Sequence, residues 1–124
     1  MALEEYAGSI VLEVDGQEVE VVDLSVTTKT GRKLVKTMNR TGKATGFSKG
    51  IEEHDISITA VIPLTVDLDW GNLTGAKLTI YPLDPSGQRT TYRDCFTTET
   101  GEKYSVDNEA RRDIKLQALS KVEE

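Results

Sequence analysis

The sequence predicts a mainly β domain: a β-sandwich or small barrel with one short α-helix and a long extended arm. Apolar and polar residues alternate through most of the chain, which is the pattern of strands with one buried face. Turn-forming residues separate these runs, and one basic, glycine-rich stretch fits neither strand nor helix. The length of 124 residues suits a single domain over 1–124, with the arm at about 29–50.

The first predicted strands form a hairpin around Asp15-Gly16, a pair that favours two-residue hairpin turns. Apolar residues occupy every second position before the turn, and after it they alternate with Glu18 and Glu20. This spacing places the following side chains on the buried face of these strands: Ile10, Leu12, Val14, Val19, Val21, Leu24 and Val26.

The clearest later strand covers residues 55–62, where four apolar side chains share one face. Three more strands are predicted at 77–81, 90–97 and about 113–122, with a turn at 84–87. The predicted core consists of Ile10, Leu12, Val14, Val19, Val21, Ile56, Ile58, Ile62, Leu78, Ile80, Ile114 and Leu116.

Residues 64–73 are the one segment that indicates a helix. Thr65 is a suitable N-cap, and Asp67 and Asp69 would lie in the first turn, where the helix dipole favours anions. Gly71 weakens the interior of such a helix, so we expect a short one.

One stretch of the chain is strongly basic. Between Leu24 and Ile51 the sequence holds seven cations and no acidic residue, while the other eight of the 15 Lys and Arg residues share the rest of the chain with all 21 acidic residues. The stretch thus carries about +7 and the body about −13. An acidic body with a basic arm is electrostatically complementary to copies of itself or to some polyanion.

The basic stretch also lacks the apolar residues for a core of its own, and glycines interrupt it at Gly31, Gly42, Gly46 and Gly50. Loops this long usually have a function. We expect a long hairpin with its tip near residues 39–43, mobile in the isolated subunit and ordered in an assembly; a solvated surface loop is the alternative. The predicted interface residues are Lys29, Arg32, Lys33, Leu34, Lys36, Met38, Arg40, Lys43, Phe47 and Lys49.

The sequence contains no pattern typical of a catalytic, cofactor or metal site. His54 is the only histidine and lies in a hydrophilic run, so we expect an exposed structural residue. Cys95, the only cysteine, is expected to be a packed, inert thiol. We find neither a secretory signal nor the roughly 20 apolar residues that span a bilayer. The expectation is a non-enzymatic protein, made in the cytoplasm and without membrane contact.

The arm and the strand after it resemble a known family. Arg32-Lys33, the run MNRTGKATGFSKG at 38–50 and the strand at 55–62 are similar to tail tube proteins of bacteriophages, notably Mu-like and other contractile-tailed phages. The resemblance implies a β-sandwich or barrel that forms hexameric rings, stacked into a hollow tube with the arm on the next ring and an acidic lumen that passes DNA without specific binding. It also implies sheath, tape-measure and baseplate partners, and a place in the virion tail after assembly in the bacterial host cytoplasm.

Two kinds of partner for the arm remain open. A nucleic-acid-binding module would place the arm on phosphates. However, Phe47 is the only aromatic residue in the arm for stacking on bases, and the acidic body would repel a polyanion. Self-assembly uses both charges, since the arm of one subunit would lie on the acidic body of another. A related ring or baseplate component of a contractile injection or secretion system is a further alternative.

Overall fold

The computed structural model describes residues 3–4, 6, 8–64, 68–83 and 87–123, and most of the regular structure in them is extended. The strands of this part of the chain are β1 (Ile10–Val14), β2 (Gln17–Val19), β3 (Val21–Lys29), β4 (Lys33–Val35), β5 (Gly46–Ser48), β6 (Glu53–Val61), β7 (Thr74–Pro82), β8 (Thr90–Lys103), β9 (Arg111–Ala118) and β10 (Ser120–Glu123). The mainly β prediction is confirmed.

Eight of the strands form one antiparallel sheet in the order β2-β1-β7-β8-β9-β6-β3, with β10 also paired to β8. β9 and β10 lie along successive parts of β8, since Gln117 pairs with Phe96 and Ser120 with Arg93. Only Leu119 separates them, so they act as one long strand beside β8. β4 and β5 form a separate two-stranded sheet.

The sheet curls into a half-barrel because its two outer strands are neighbours in the sequence. β2 and β3 lie at opposite ends of the strand order, yet Glu20 alone connects them. Consecutive Cα atoms are only about 3.8 Å apart, so the two edges of the sheet must meet at this residue. The tight turn at the other end of β2 also agrees with the sequence, since Asp15 and Gly16 both have positive φ, 52° and 84°.

The concave face of the curl holds the core. Seven of the predicted core residues are buried there, namely Leu12, Val14, Ile56, Ile58, Leu78, Ile114 and Leu116. Ile10, Val19, Val21 and Ile80 are partly buried and pack against them, and Ile62 is half-buried. The prediction missed the largest buried side chain, Trp70, as well as Tyr92. Both lie in segments without a clean alternation of apolar and polar residues.

Of the predicted α-helix over 64–73, the described residues 64 and 68–73 form only a 3-10 turn, Trp70–Asn72. Asp69 precedes this turn but makes no capping hydrogen bond with its side chain. Gly71 in the middle and the burial of Trp70 against the sheet favour one tight turn over a longer helix. The proposed N-cap at Thr65 and the predicted turn at 84–87 fall wholly or partly outside the described residues.

Candidate subunit interface

The arm (residues 29–50) is the continuation of the β3–β6 hairpin beyond the curled sheet. The last pair of the β3–β6 ladder is Lys29 with Glu53. The two chains then run on to the β4–β5 ladder, which starts at Lys33 with Ser48. The structure therefore contains the long hairpin that the sequence suggested.

Two glycines form the narrow neck of the arm. Gly31 has a positive φ of 78°, and a Cβ atom there would collide with the backbone of Ile51. A Cβ on Gly50 would lie 2.7 Å from the carbonyl oxygen of Gly31. Because the two backbones approach this closely, neither position accepts a side chain without a shift of the neck.

Asn39 organises the tip of the arm. Its Oδ1 accepts hydrogen bonds from the backbone N–H groups of Thr41 at 3.0 Å and Gly42 at 3.1 Å, and its Nδ2 donates to the carbonyl oxygen of Lys43 at 2.8 Å. Gly42 has a positive φ of 69°. The tip lies where the sequence predicts it, near residues 39–43, but the role of Asn39 was not predicted. An Asn two residues before Thr-Gly is the sequence signal that indicates such a turn.

The arm presents its apolar side chains to solvent. Leu34 pairs directly with Phe47 across the two strands, so both lie on one face of the arm, and they are 60% and 61% exposed. Met38, near the tip, is fully exposed. Exposed apolar side chains on a projecting hairpin are what a binding surface requires and what an isolated subunit leaves unburied.

The cations of the arm divide into two groups. Lys29 lies 3.3 Å from Asp55, where it belongs to the body of the subunit. The pKa of Asp55 is lowered mainly by the hydrogen bond from Gln117 and secondly by Lys29. The other six are exposed and take part in none of the ion pairs between described residues: Arg32, Lys33, Lys36, Arg40, Lys43 and Lys49.

His54 corrects one expectation, because it is buried and not exposed. It follows the period-two pattern of β6 and shares the inward face with Ile56 and Ile58. A hydrogen bond of 3.1 Å joins its Nδ1 to Thr28 Oγ1, and its ring centroid lies 5.8 Å from that of Tyr92. The hydrophilic neighbours of His54 in the sequence concealed this alternation.

Cys95 and the possible metal ligands of the described residues can also be compared with the expectations. Cys95 is fully buried, and burial raises the pKa of its thiol to about 11, so it is the packed thiol that was expected. His, Cys, Asp and Glu side chains of the described residues form no cluster of three or more that could hold a metal ion. Helical segments in the same residues are too short to cross a membrane.

The sequence matches no family model and no curated protein. Solved structures share its fold. A chain from the sheath/tube terminator of an extracellular contractile injection system, PVC, gives a TM-score of 0.78 at 13% identity and covers 99% of both chains. Hcp1 from Flavobacterium johnsoniae gives 0.60 at 11% identity, with 92% of this chain and 93% of Hcp1 covered. A chain from the tail of an empty gene transfer agent particle, refined with C6 symmetry, gives 0.61 at 13% identity, with 93% and 92% covered.

These similarities establish the fold of the chain. It is the fold found in a tail, in a tube terminator and in Hcp1, so the tail-tube-like fold implied by the sequence resemblance is confirmed. The matching regions take in nearly the whole of this chain and of each of those chains.

Proposed function

We propose that this protein is a non-enzymatic structural subunit of a phage tail or a related contractile injection system, and that it assembles with itself through its arm. The observation that carries the proposal is the charge distribution of the arm. Six exposed cations there find no ion-pair partner among the described residues of their own subunit, although the body is strongly acidic. A neighbouring acidic body would supply the missing partners.

In this proposal the subunits form hexameric rings that stack into a hollow tube. A contact between the arm of one copy and a different surface of the next is heterologous, and such contacts generate rings or open stacks. The C6 symmetry of one structural neighbour supports six copies per ring. DNA would pass through the tube without specific binding, because an acidic wall repels it. Sheath, tape-measure and baseplate proteins would be the further partners, in the virion tail, after assembly in the bacterial host cytoplasm.

A ring that closes the end of a tube is the second candidate. The terminator chain superposes with a TM-score of 0.78, against 0.60 for Hcp1, and it matches this chain over 99% of both lengths. A closing ring would form the same contacts within the ring but would not continue into long tubes. Electron microscopy separates the two candidates, since one gives tubes and the other gives single rings.

The proposed function is tested by charge reversal in the arm. The triple variant Lys36→Glu, Arg40→Glu, Lys43→Glu should remain folded, because exposed charges contribute little to the stability of the monomer. It should lose assembly, since like charges facing each other across an interface cost several kcal/mol. Sedimentation velocity over a range of concentrations measures both the wild type and the variant.

A matched control changes the net charge equally, outside the arm. Lys77→Glu, Arg93→Glu, Lys103→Glu alters three exposed body cations and should assemble as the wild type does. A DNA gel shift at physiological salt tests the nucleic-acid alternative. Wild-type protein that binds DNA tightly and never forms rings or tubes would replace the proposed function with that alternative.

A further inference from the structure

The half-barrel is open along one seam. β1 pairs with β2 only from Leu12 to Val14, so Ile10 and Val11 have a strand partner on the β7 side alone in the described part of the chain. Across the gap, β3 pairs with β6 along one edge, and its other edge faces no described strand. The two sides meet at Glu20, and the gap between them is the open part of the curl.

This gap forms a groove with aliphatic side chains on both sides, which we call the seam groove. Its volume is about 380 Å³, and Ile10 and Ile80 line one side while Val22, Leu24 and Val26 line the other. Ile10, Ile80, Leu24 and Val26 are only partly buried, although they pack against the main core. Val22 is 47% exposed. The groove is therefore an unfinished edge of the core and not a separate surface feature.

The chain segment that leads from β1 into the seam groove is acidic, and one of its carboxylates, Asp23, lines the groove itself. Residues 13–23 contain five carboxylates and no cation. Glu13 accepts a hydrogen bond from the Tyr81 hydroxyl at 2.7 Å, and Asp15 accepts one from a backbone N–H. The remaining three, Glu18, Glu20 and Asp23, are exposed and take part in none of the ion pairs between described residues.

We propose that the seam groove is the receptor for the arm of a second copy of this chain. The proposal rests on the proposed function and adds the surface on which the arm lies. The Leu34–Phe47 face of the arm would cover Val22 and Leu24, which are apolar and incompletely buried in the single subunit. Lys36, Arg40 and Lys43 would then meet Glu18, Glu20 and Asp23. The match therefore has an apolar and an electrostatic part.

The direction of the arm requires that the groove belongs to another copy. The arm continues the β3–β6 hairpin away from the sheet, and the ten residues from Lys29 to the tip at Asn39 can reach at most about 33 Å, at about 3.3 Å per extended residue. The seam groove lies beside the earlier part of β3, in the opposite direction. The close backbone approach of Gly31 and Gly50 keeps the two chains of the neck together.

Exchange of charge between the two surfaces tests the proposal. The groove variant carries Glu18→Lys, Glu20→Lys, Asp23→Lys, and the arm variant carries Lys36→Glu, Arg40→Glu, Lys43→Glu. Each variant alone brings like charges together and should raise the concentration needed for assembly by more than about tenfold, since each 1.4 kcal/mol is a factor of ten. An equimolar mixture should assemble, because each arm then finds an oppositely charged groove on the other variant.

The control is Asp69→Lys, Glu99→Lys, Asp107→Lys, an equal change of charge on exposed residues that belong neither to the arm nor to the seam groove. Of the three, only Glu99 takes part in an ion pair between described residues, with Lys115, and an exposed pair of this kind contributes little to stability. The control should assemble like the wild type, and all variants should keep the wild-type circular dichroism and melting temperature.

The outcomes separate the receptor from the proposed function. If the wild type assembles and the groove variant assembles equally well, or if the mixture stays as dissociated as its components, the seam groove is not the receptor while the proposed function stands. A control that fails as the groove variant does would attribute the effect to net charge and also overturn the proposal. Wild-type protein that never assembles overturns the proposed function and this proposal together.

Discussion

Truncation of Ile58 tests whether the concave face of the half-barrel is the core. Ile58 lies in the middle of β6 and is 2% exposed. Ile58→Ala removes three carbon atoms, worth about 2.4 kcal/mol at roughly 0.8 kcal/mol per buried CH₂, and the cavity left behind raises the loss to about 2–5 kcal/mol. With an unfolding entropy near 2.1 cal/mol/K per residue, a loss of about 3 kcal/mol lowers the melting temperature by roughly 12 °C.

Ile51→Ala is the matched control, because the chemical change is identical and Ile51 is 83% exposed. Its free energy of unfolding should stay within about 0.5 kcal/mol of the wild type. Urea denaturation followed by circular dichroism measures both variants. Equal losses from Ile58→Ala and Ile51→Ala would refute the assignment of the core to this face of the sheet.

Three further predictions concern the thiol and the arm. Cys95 should resist a thiol reagent at pH 8 in the native protein and react fully in denaturant. Because burial raises the pKa of its thiol to about 11 in the folded state, only the unfolded thiol ionises readily above about pH 9. The free energy of unfolding should therefore fall as the pH rises above about 9. Amide hydrogens across residues 40–46 should exchange rapidly in a proven monomer and slowly in an assembly, as measured by mass spectrometry, and strong protection in the monomer would contradict a mobile arm. Asn39→Ala should leave the melting temperature unchanged but weaken assembly, because the tip loses the hydrogen bonds that shape it. Sedimentation measures the assembly. Asn72→Ala, a change of the same type at an exposed position of the body, should assemble like the wild type.

Local alternation was sufficient to predict most of the fold. Ile56 and Ile58 are two positions apart in one strand, and side chains two positions apart in a strand lie on the same face of the sheet. The sequence alone therefore predicts that both belong to the buried face. Asp15-Gly16 predicted its turn for a physical reason, since few residue pairs tolerate two successive positive φ angles. The strand order was beyond such reasoning, because pairing between β1 and β7 or between β8 and β9 depends on contacts that are distant in sequence.

The errors have equally local causes. His54 was expected at the surface because its neighbours are acidic, and the alternation that buries it continues from Ile56 one step further than the hydrophilic run suggested. The burial of Trp70 was not predicted, because it lies in a single 3-10 turn and not in a strand or helix with a repeating apolar pattern. The arm was recognised from charge and glycine content, whereas the seam groove depends on the curl of the sheet, which brings β2 and β3 together at Glu20 and leaves β1 apart from β3.

Negative-stain electron microscopy of the concentrated wild-type protein tests the central claim most directly. A subunit that joins its neighbours through a basic arm should form rings, and class averages of end views should show six-fold symmetry. Long tubes would favour a tube subunit, and rings without tubes would favour a closing ring. A protein that forms neither at any concentration, and that sediments as a monomer throughout, would contradict the claim that this chain is an assembly subunit.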